Sequence, residues 1–321
     1  MLKRLLVITI LCTPLVACTS TQITQSGSTL NPPDRAKVPT ASSASASTTV
    51  PDSLPTAAEF GTVTPPVAII PTLGPDEWMK LPVIPVISDN ARKIFARGLA
   101  MGNDPTHFSK IGDCQNVSSY FLSTFDNPGD FSLGSQFSYL QPTIDQFSGS
   151  WSRNSLAVKG GFNVAAVNSP FRADPQKCNK GESPLECELR VWKPSIVVVS
   201  METWWGKKPA EDYDKYMRQT VEYIISQGAV PILATKADNL EGNFAINAVI
   251  AQVANDYDIP LWNFWAAVQP LPNHGLSPDN FHLTFARNFF DDPVRMENAW
   301  PWRNLTALEA IDAVYRGVSS K

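Results

Sequence analysis

Ser195-Ile-Val-Val-Val-Ser-Met201 is an apolar run, and the residues after it decide the fold. Residues 210–226 repeat apolar side chains at helical spacing, with Tyr213, Met217, Val221 and Ile224 near one face, and residues 230–235 are apolar again. Strand, helix and strand in that order are the mark of a parallel sheet covered by helices. Working outward, residues 108–112, 155–159 and 260–264 read as further strands. Residues 90–101, 244–257 and 305–318 read as helices that carry Ile94, Phe95 and Leu99, then Ile246, Ile250 and Val253, then Leu308, Ile311 and Val314. The expected fold is α/β, a three-layer α/β/α sandwich with a short parallel sheet of about five strands in a flavodoxin-like arrangement. Such sheets carry their chemistry in loops at the carboxyl ends of the strands.

The ends of the chain differ in character. Met1-Leu2-Lys3-Arg4 is a short basic start, and the apolar run from Leu5 to Val16 is too short to span a bilayer comfortably, so residues 1–17 read as a signal segment. Leu15-Val16-Ala17-Cys18 resembles a bacterial lipobox, which would make Cys18 the lipidated N-terminus of a membrane-anchored, extracytoplasmic protein. Residues 18–74 are rich in Ser, Thr, Pro and Ala and have no periodic apolar face, the composition of a tether. Residues 75–321 form the folded domain. With 43% apolar and 17% charged residues the chain can bury a sizeable core. Its net charge is −4, and cleavage before Cys18 removes Lys3 and Arg4, so nucleic acid is not an expected partner.

Of five cysteines, Cys12 lies in the signal segment and Cys18 at the lipobox. Cys178 and Cys187 bracket a short polar loop, and an oxidising compartment favours a disulfide between them. Cys114 remains as a free thiol, which in most proteins is a small buried hydrophobe.

Its context is Ile111-Gly112-Asp113-Cys114, at the end of the first strand, and near the other end of the domain stands Asp279-Asn-Phe-His282. Together they resemble the opening GDS motif and the closing DxxH block of SGNH/GDSL hydrolases, with sulfur in place of the serine oxygen. Pro231-Ile-Leu-Ala-Thr235 followed by Asp238-Asn239 looks like the fourth strand and loop of bacterial members. The resemblance implies Cys114 as nucleophile, His282 as base and Asp279 as the carboxylate that orients it. The thiolate would be favoured by His282 or by a helix N-terminus after position 114. The resemblance also implies an oxyanion hole built from the Cys114 N–H, a glycine N–H and an asparagine side chain. Gly161 is the candidate glycine, with Gly160 beside it, while the asparagine position reads Trp204. No cofactor and no metal are implied, and three scattered histidines do not form a metal set.

Trp204 and Trp205 are either core fillers or a stacking platform for a glycan or acyl chain. Glu202 is either an acid or base beside the site or an exposed carboxylate at a strand end. His107 and His274 read as ordinary loop histidines. Two functions are compatible with these residues: an ester or thioester hydrolase acting on acylated glycans or lipids, or a binding lipoprotein that has kept the pocket without the catalysis. A third, weaker idea makes Cys114 an oxidant sensor.

Overall fold

The structure, a computed structural model, describes residues 72–204 and 208–320. The signal segment, Cys18, nearly all of the tether and Trp205 lie outside the described residues.

The chain enters through α1 (Asp89–Ala100) and β1 (Asp104–Gly112). The short β2 (Phe131–Ser132), α2 (Gln141–Gln146), α3 (Val164–Val167) and α4 (Pro184–Trp192) come next, then β3 (Pro194–Ser200), α5 (Ala210–Ser226), β4 (Val230–Ala234) and α6 (Ala245–Asp256). The last elements are β5 (Leu261–Trp262), α7 (Phe264–Val268), β6 (Asn288–Phe289) and α8 (Ala299–Ser319). The main sheet runs β1-β3-β4-β5, all parallel, with Phe108 opposite Ile196, Val198 opposite Ile232 and Leu233 opposite Leu261. Every residue of β3 and β4 is buried, because a parallel strand covered on both faces leaves no side for polar residues. One group of helices packs α1 and α7 against α8, and the other gathers α3, α4, α5 and α6. The α/β sandwich expected from the sequence is present.

Four elements differ from the expectation. β1 starts four residues early, at Asp104, and of residues 260–264 only Leu261 and Trp262 are strand while Phe264 opens α7, so among the described residues the main sheet has four strands and not about five. Residues 155–159 contribute a single parallel bridge, Val158 to Gly112, in place of a full strand. The Ser155 side chain turns back to the Ala157 N–H at 3.0 Å, which holds the segment in a turn. α8 begins at Ala299, six residues before the expected start. Pro301 sits in its first turn, where a missing N–H costs no helical hydrogen bond. The disulfide Cys178–Cys187 is formed, tying the loop to α4. α4 itself is announced by a capping box, Ser183 with Glu186, and by Pro184 in the first turn.

The sheet is locked to α1 at a glycine pair. A methyl group at Gly98 would stand 1.9 Å from the Gly228 carbonyl oxygen, in the turn between α5 and β4. Gly228 has φ +74, which favours glycine for a second reason. Gly98→Ala is therefore expected to cost about 1–3 kcal/mol by overpacking. Urea unfolding should show a lower midpoint at unchanged slope; an unchanged midpoint would mean that α1 shifts freely.

Candidate active site

Because β1, β3 and β4 run parallel, their carboxyl ends bring Asp113 and Cys114, Glu202 and Thr203, and Lys236 and Asp238 to one edge of the sheet. Asp113 is fully buried and binds this edge together. Its Oδ2 accepts from the Glu202 N–H at 2.9 Å, the Thr203 N–H at 2.7 Å and the Thr203 hydroxyl at 2.7 Å. Its Oδ1 accepts from the Gln115 N–H at 3.0 Å. Gly112 is needed just before it, since a Cβ there would lie 2.1 Å from Asn116 Nδ2, which donates to the Ser200 carbonyl at 2.8 Å. The Gly-Asp sequence thus fixes a tight turn that presents residue 114 at the rim.

Cys114 is half-buried and unbonded. Burial pushes its thiol up to about 11, with the Asp113 and Glu202 carboxylates adding to the rise and the N–H groups of Cys114 and Gln115 opposing it. The expectation of a favoured thiolate is not met. A three-residue 3-10 turn, Cys114–Asn116, starts at this residue and has too few aligned peptides to act as a helix N-terminus. Among the described residues no hydrogen bond joins Cys114 to His282.

His282 Nδ1 lies 2.6 Å from Asp279 Oδ2, and Asp279 Oδ1 accepts from the N–H groups of Phe281 at 3.0 Å and His282 at 2.9 Å. The hydrogen bond from His282, followed by those of the backbone, brings the Asp279 carboxyl down to about 2, so it is ionised throughout the neutral range. Asn280 takes a left-handed conformation (φ +57) to close the loop, and the Ser277 N–H donates to the His282 carbonyl at 2.7 Å. Thr284 then anchors the loop to α8, accepting from the Ala299 N–H at 2.9 Å through its hydroxyl and the Trp300 N–H at 3.0 Å through its carbonyl.

Cys114 and His282 line one cavity of about 530 Å³, together with Gln115, Tyr120, Leu283, Phe285 and Trp300. Tyr120 and Trp300 stack with centroids 5.5 Å apart. These aromatic residues do not stand out in the sequence, because nothing local distinguishes them from core residues. Trp204 does not line the cavity. It is 5% exposed, packs edge-on against Tyr213 at 5.7 Å, and donates from Nε1 to the Pro209 carbonyl at 3.2 Å. Of the two readings left open for it, core filling is the one the geometry matches. Gly160 is the glycine nearest the thiol, a Cβ there standing 3.9 Å from Cys114 Cβ, while Gly161 (φ +81) has open space beside it. The turn containing both is held to β1 by the Lys159 N–H, which donates to the Gly112 carbonyl at 3.3 Å.

Glu202 is buried, not exposed at the strand end. It pairs with Arg303 at 2.7 Å and accepts from the Ser200 hydroxyl at 3.1 Å. Burial raises its carboxyl to about 7 even though Arg303 opposes the shift. Arg303 is fully buried and lies over the rings of Phe121, Phe264 and Trp262 at 4.9, 5.1 and 5.7 Å. Beside this pair, buried Lys236 reaches Asp238 at 2.7 Å and Glu241 at 2.6 Å. His107 stacks on Trp192 at 3.9 Å and His274 contacts the Gln269 carbonyl at 3.1 Å, both serving local structure. Among the described residues Cys178, Glu182 and Cys187 have metal-ligand spacing, but the two sulfurs are bonded to each other.

The fold and site define an α/β domain that gathers a thiol, an imidazole and a carboxylate at the carboxyl edge of a parallel sheet. No protein-family model matches the chain, and no curated protein matches it. Solved structures do match. A protein described as lipolytic and of the G-D-S-L family, from Desulfitobacterium hafniense, is 15% identical, with 65% of this chain and 99% of that one covered and a TM-score of 0.38. TesA is 17% identical over 62% of this chain and 99% of its own, at a TM-score of 0.37. A GDSL-like lipase from Bacteroides thetaiotaomicron is 14% identical over 70% and 97%, at 0.39.

A thiol titrating near 11 is ionised only to on the order of one part in ten thousand at neutral pH. Alkylation of Cys114 by iodoacetamide in the folded protein should therefore quicken about tenfold per pH unit from 7 to 10, since only the thiolate reacts. A rate that levels off below pH 8 would contradict this electrostatic picture.

Proposed function

We propose that this protein is an ester hydrolase of the SGNH type that works through Cys114, His282 and Asp279, held on the outer side of a membrane by lipid on Cys18. The observation that carries this reading is that Cys114 and His282 share one cavity wall while Asp279 holds His282 by Nδ1. Nδ1 is then occupied, and Nε2 has no hydrogen-bond partner among the described residues, which leaves it free to take a proton. Among the described residues no helix is long and apolar enough to cross a membrane.

In this reaction Cys114 Sγ attacks the ester carbonyl carbon as Nε2 takes the thiol proton. Asp279 stabilises the imidazolium that forms and keeps its ring in place. The C–O bond then breaks, the leaving alkoxide receives the proton from Nε2, and an acyl thioester remains on Cys114. Water, deprotonated by the same nitrogen, attacks the thioester carbon; the C–S bond breaks, the acid leaves, and the Cys114 thiolate takes the proton back from Nε2. The Cys114 N–H and the Gly160–Gly161 turn supply the oxyanion donors, and with Trp204 packed into the core the asparagine donor is missing. Loss of one such donor typically costs on the order of a hundredfold to a thousandfold in turnover, so a slow enzyme is expected.

A second reading, a binding protein that has kept the cavity, is favoured by the high thiol pKa. Hydrolysis of short-chain aryl esters by the full-length protein in detergent separates the two. The expected result is a slow activity that rises with pH and is abolished in Cys114→Ala. Activity gained only in Cys114→Ser would mean a site disarmed at its nucleophile, and silence in parent, Ala and Ser proteins would favour binding.

A further inference from the structure

The cavity beside Cys114 continues into a second one of about 200 Å³, which shares Tyr120, Phe285 and Trp300 with it. Tyr120 is 52% and Phe285 66% exposed, an unusual display of large rings on one rim. The second cavity is more polar than the first. Asp130 and Arg287 stand in its wall, and neither side chain has a hydrogen-bond or ion-pair partner among the described residues. On the first cavity's wall, Gln115 is 4% exposed and its Oε1 is buried without a partner.

We propose that this double groove is a carbohydrate subsite, which seats a hexopyranose residue of an O-acylated glycan on the exposed rings of Tyr120 and Phe285, with buried Trp300 backing Tyr120. Placing the acyl group at Cys114 rests on the ester-hydrolase reading; the sugar contacts do not. Aromatic faces suit the C–H faces of pyranose rings. An ionised carboxylate only accepts and a guanidinium only donates, and sugar hydroxyls do both, so one sugar satisfies Asp130 and Arg287 together. A lipid chain in the same place would take water from Asp130 and Arg287 and return no hydrogen bond. The first cavity, closed in by Leu283 and the rings, is left for the short acyl substituent.

The test is calorimetric titration of the full-length Cys114→Ala protein, so that the result does not depend on ester cleavage. The probes are hexasaccharides of β-1,4-linked glucose, mannose, galactose and N-acetylglucosamine, with monomeric dihexanoylphosphatidylcholine as the lipid arm. Saturable binding of at least one hexasaccharide is expected, weakened about tenfold or more by adding Tyr120→Ala or Arg287→Ala, in line with the loss of a ring contact or a charged hydrogen bond. Arg287 is exposed, so Arg287→Ala should keep the parent's unfolding midpoint and separates lost binding from lost stability, whereas Tyr120→Ala also removes the stack on Trp300. Binding of the phospholipid alone, binding of no hexasaccharide, or hexasaccharide binding that ignores both substitutions would overturn the proposal.

Discussion

A single buried carboxylate organises the site. Asp113 receives the Glu202 and Thr203 N–H groups, the Thr203 hydroxyl and the Gln115 N–H, and so joins the loop after β1 to the loop after β3. Buried backbone donors left unpaired cost about 1–3 kcal/mol each, which makes one acceptor for several of them a strong constraint. The position of Cys114, the course of the Glu202 loop and the inward packing of Trp204 all depend on it.

The same carboxylate sets the electrostatics. Asp113 and Glu202 are both buried near Cys114 and both raise its pKa. Glu202 is partly offset by Arg303, which also donates to the Ser200 hydroxyl and lies over the rings of Phe121 and Phe264. A cysteine protease-like thiolate would be stabilised by adjacent positive charge; here the nearest fixed charges are negative. Cys114 is therefore a neutral thiol at rest, and in the proposed reaction its deprotonation accompanies attack. His282, exposed and tied to an ionised Asp279, is the base proposed for that step.

How much of the structure is legible in the sequence varies with how local the physics is. β3, α5 and β4 can be read closely because unbroken apolar runs and a 3.6-residue period report burial directly. The segment 155–159 misleads because its apolar run Leu156-Ala-Val158 resembles a strand, while the Ser155 turn that limits it to a single bridge is a side-chain effect. Cys114, Asp279 and His282 stand out through two short motifs. Arg303, Tyr120, Phe285 and Trp300 do not, since their roles come from tertiary contacts between the 120 loop, the 285 loop and α8. Glu202 is legible as a polar residue at a strand end, but its burial depends on Arg303, a hundred positions away in the chain.

The central claim is that Cys114 carries the acyl group, and the most direct measurement is the intact mass of the protein after brief incubation with a short-chain aryl ester, followed by peptide mapping. The expected result is one acyl increment, on Cys114, labile to hydroxylamine at neutral pH as a thioester is, and absent from Cys114→Ala. An increment on another residue, or none in a protein that still cleaves the ester, would contradict it.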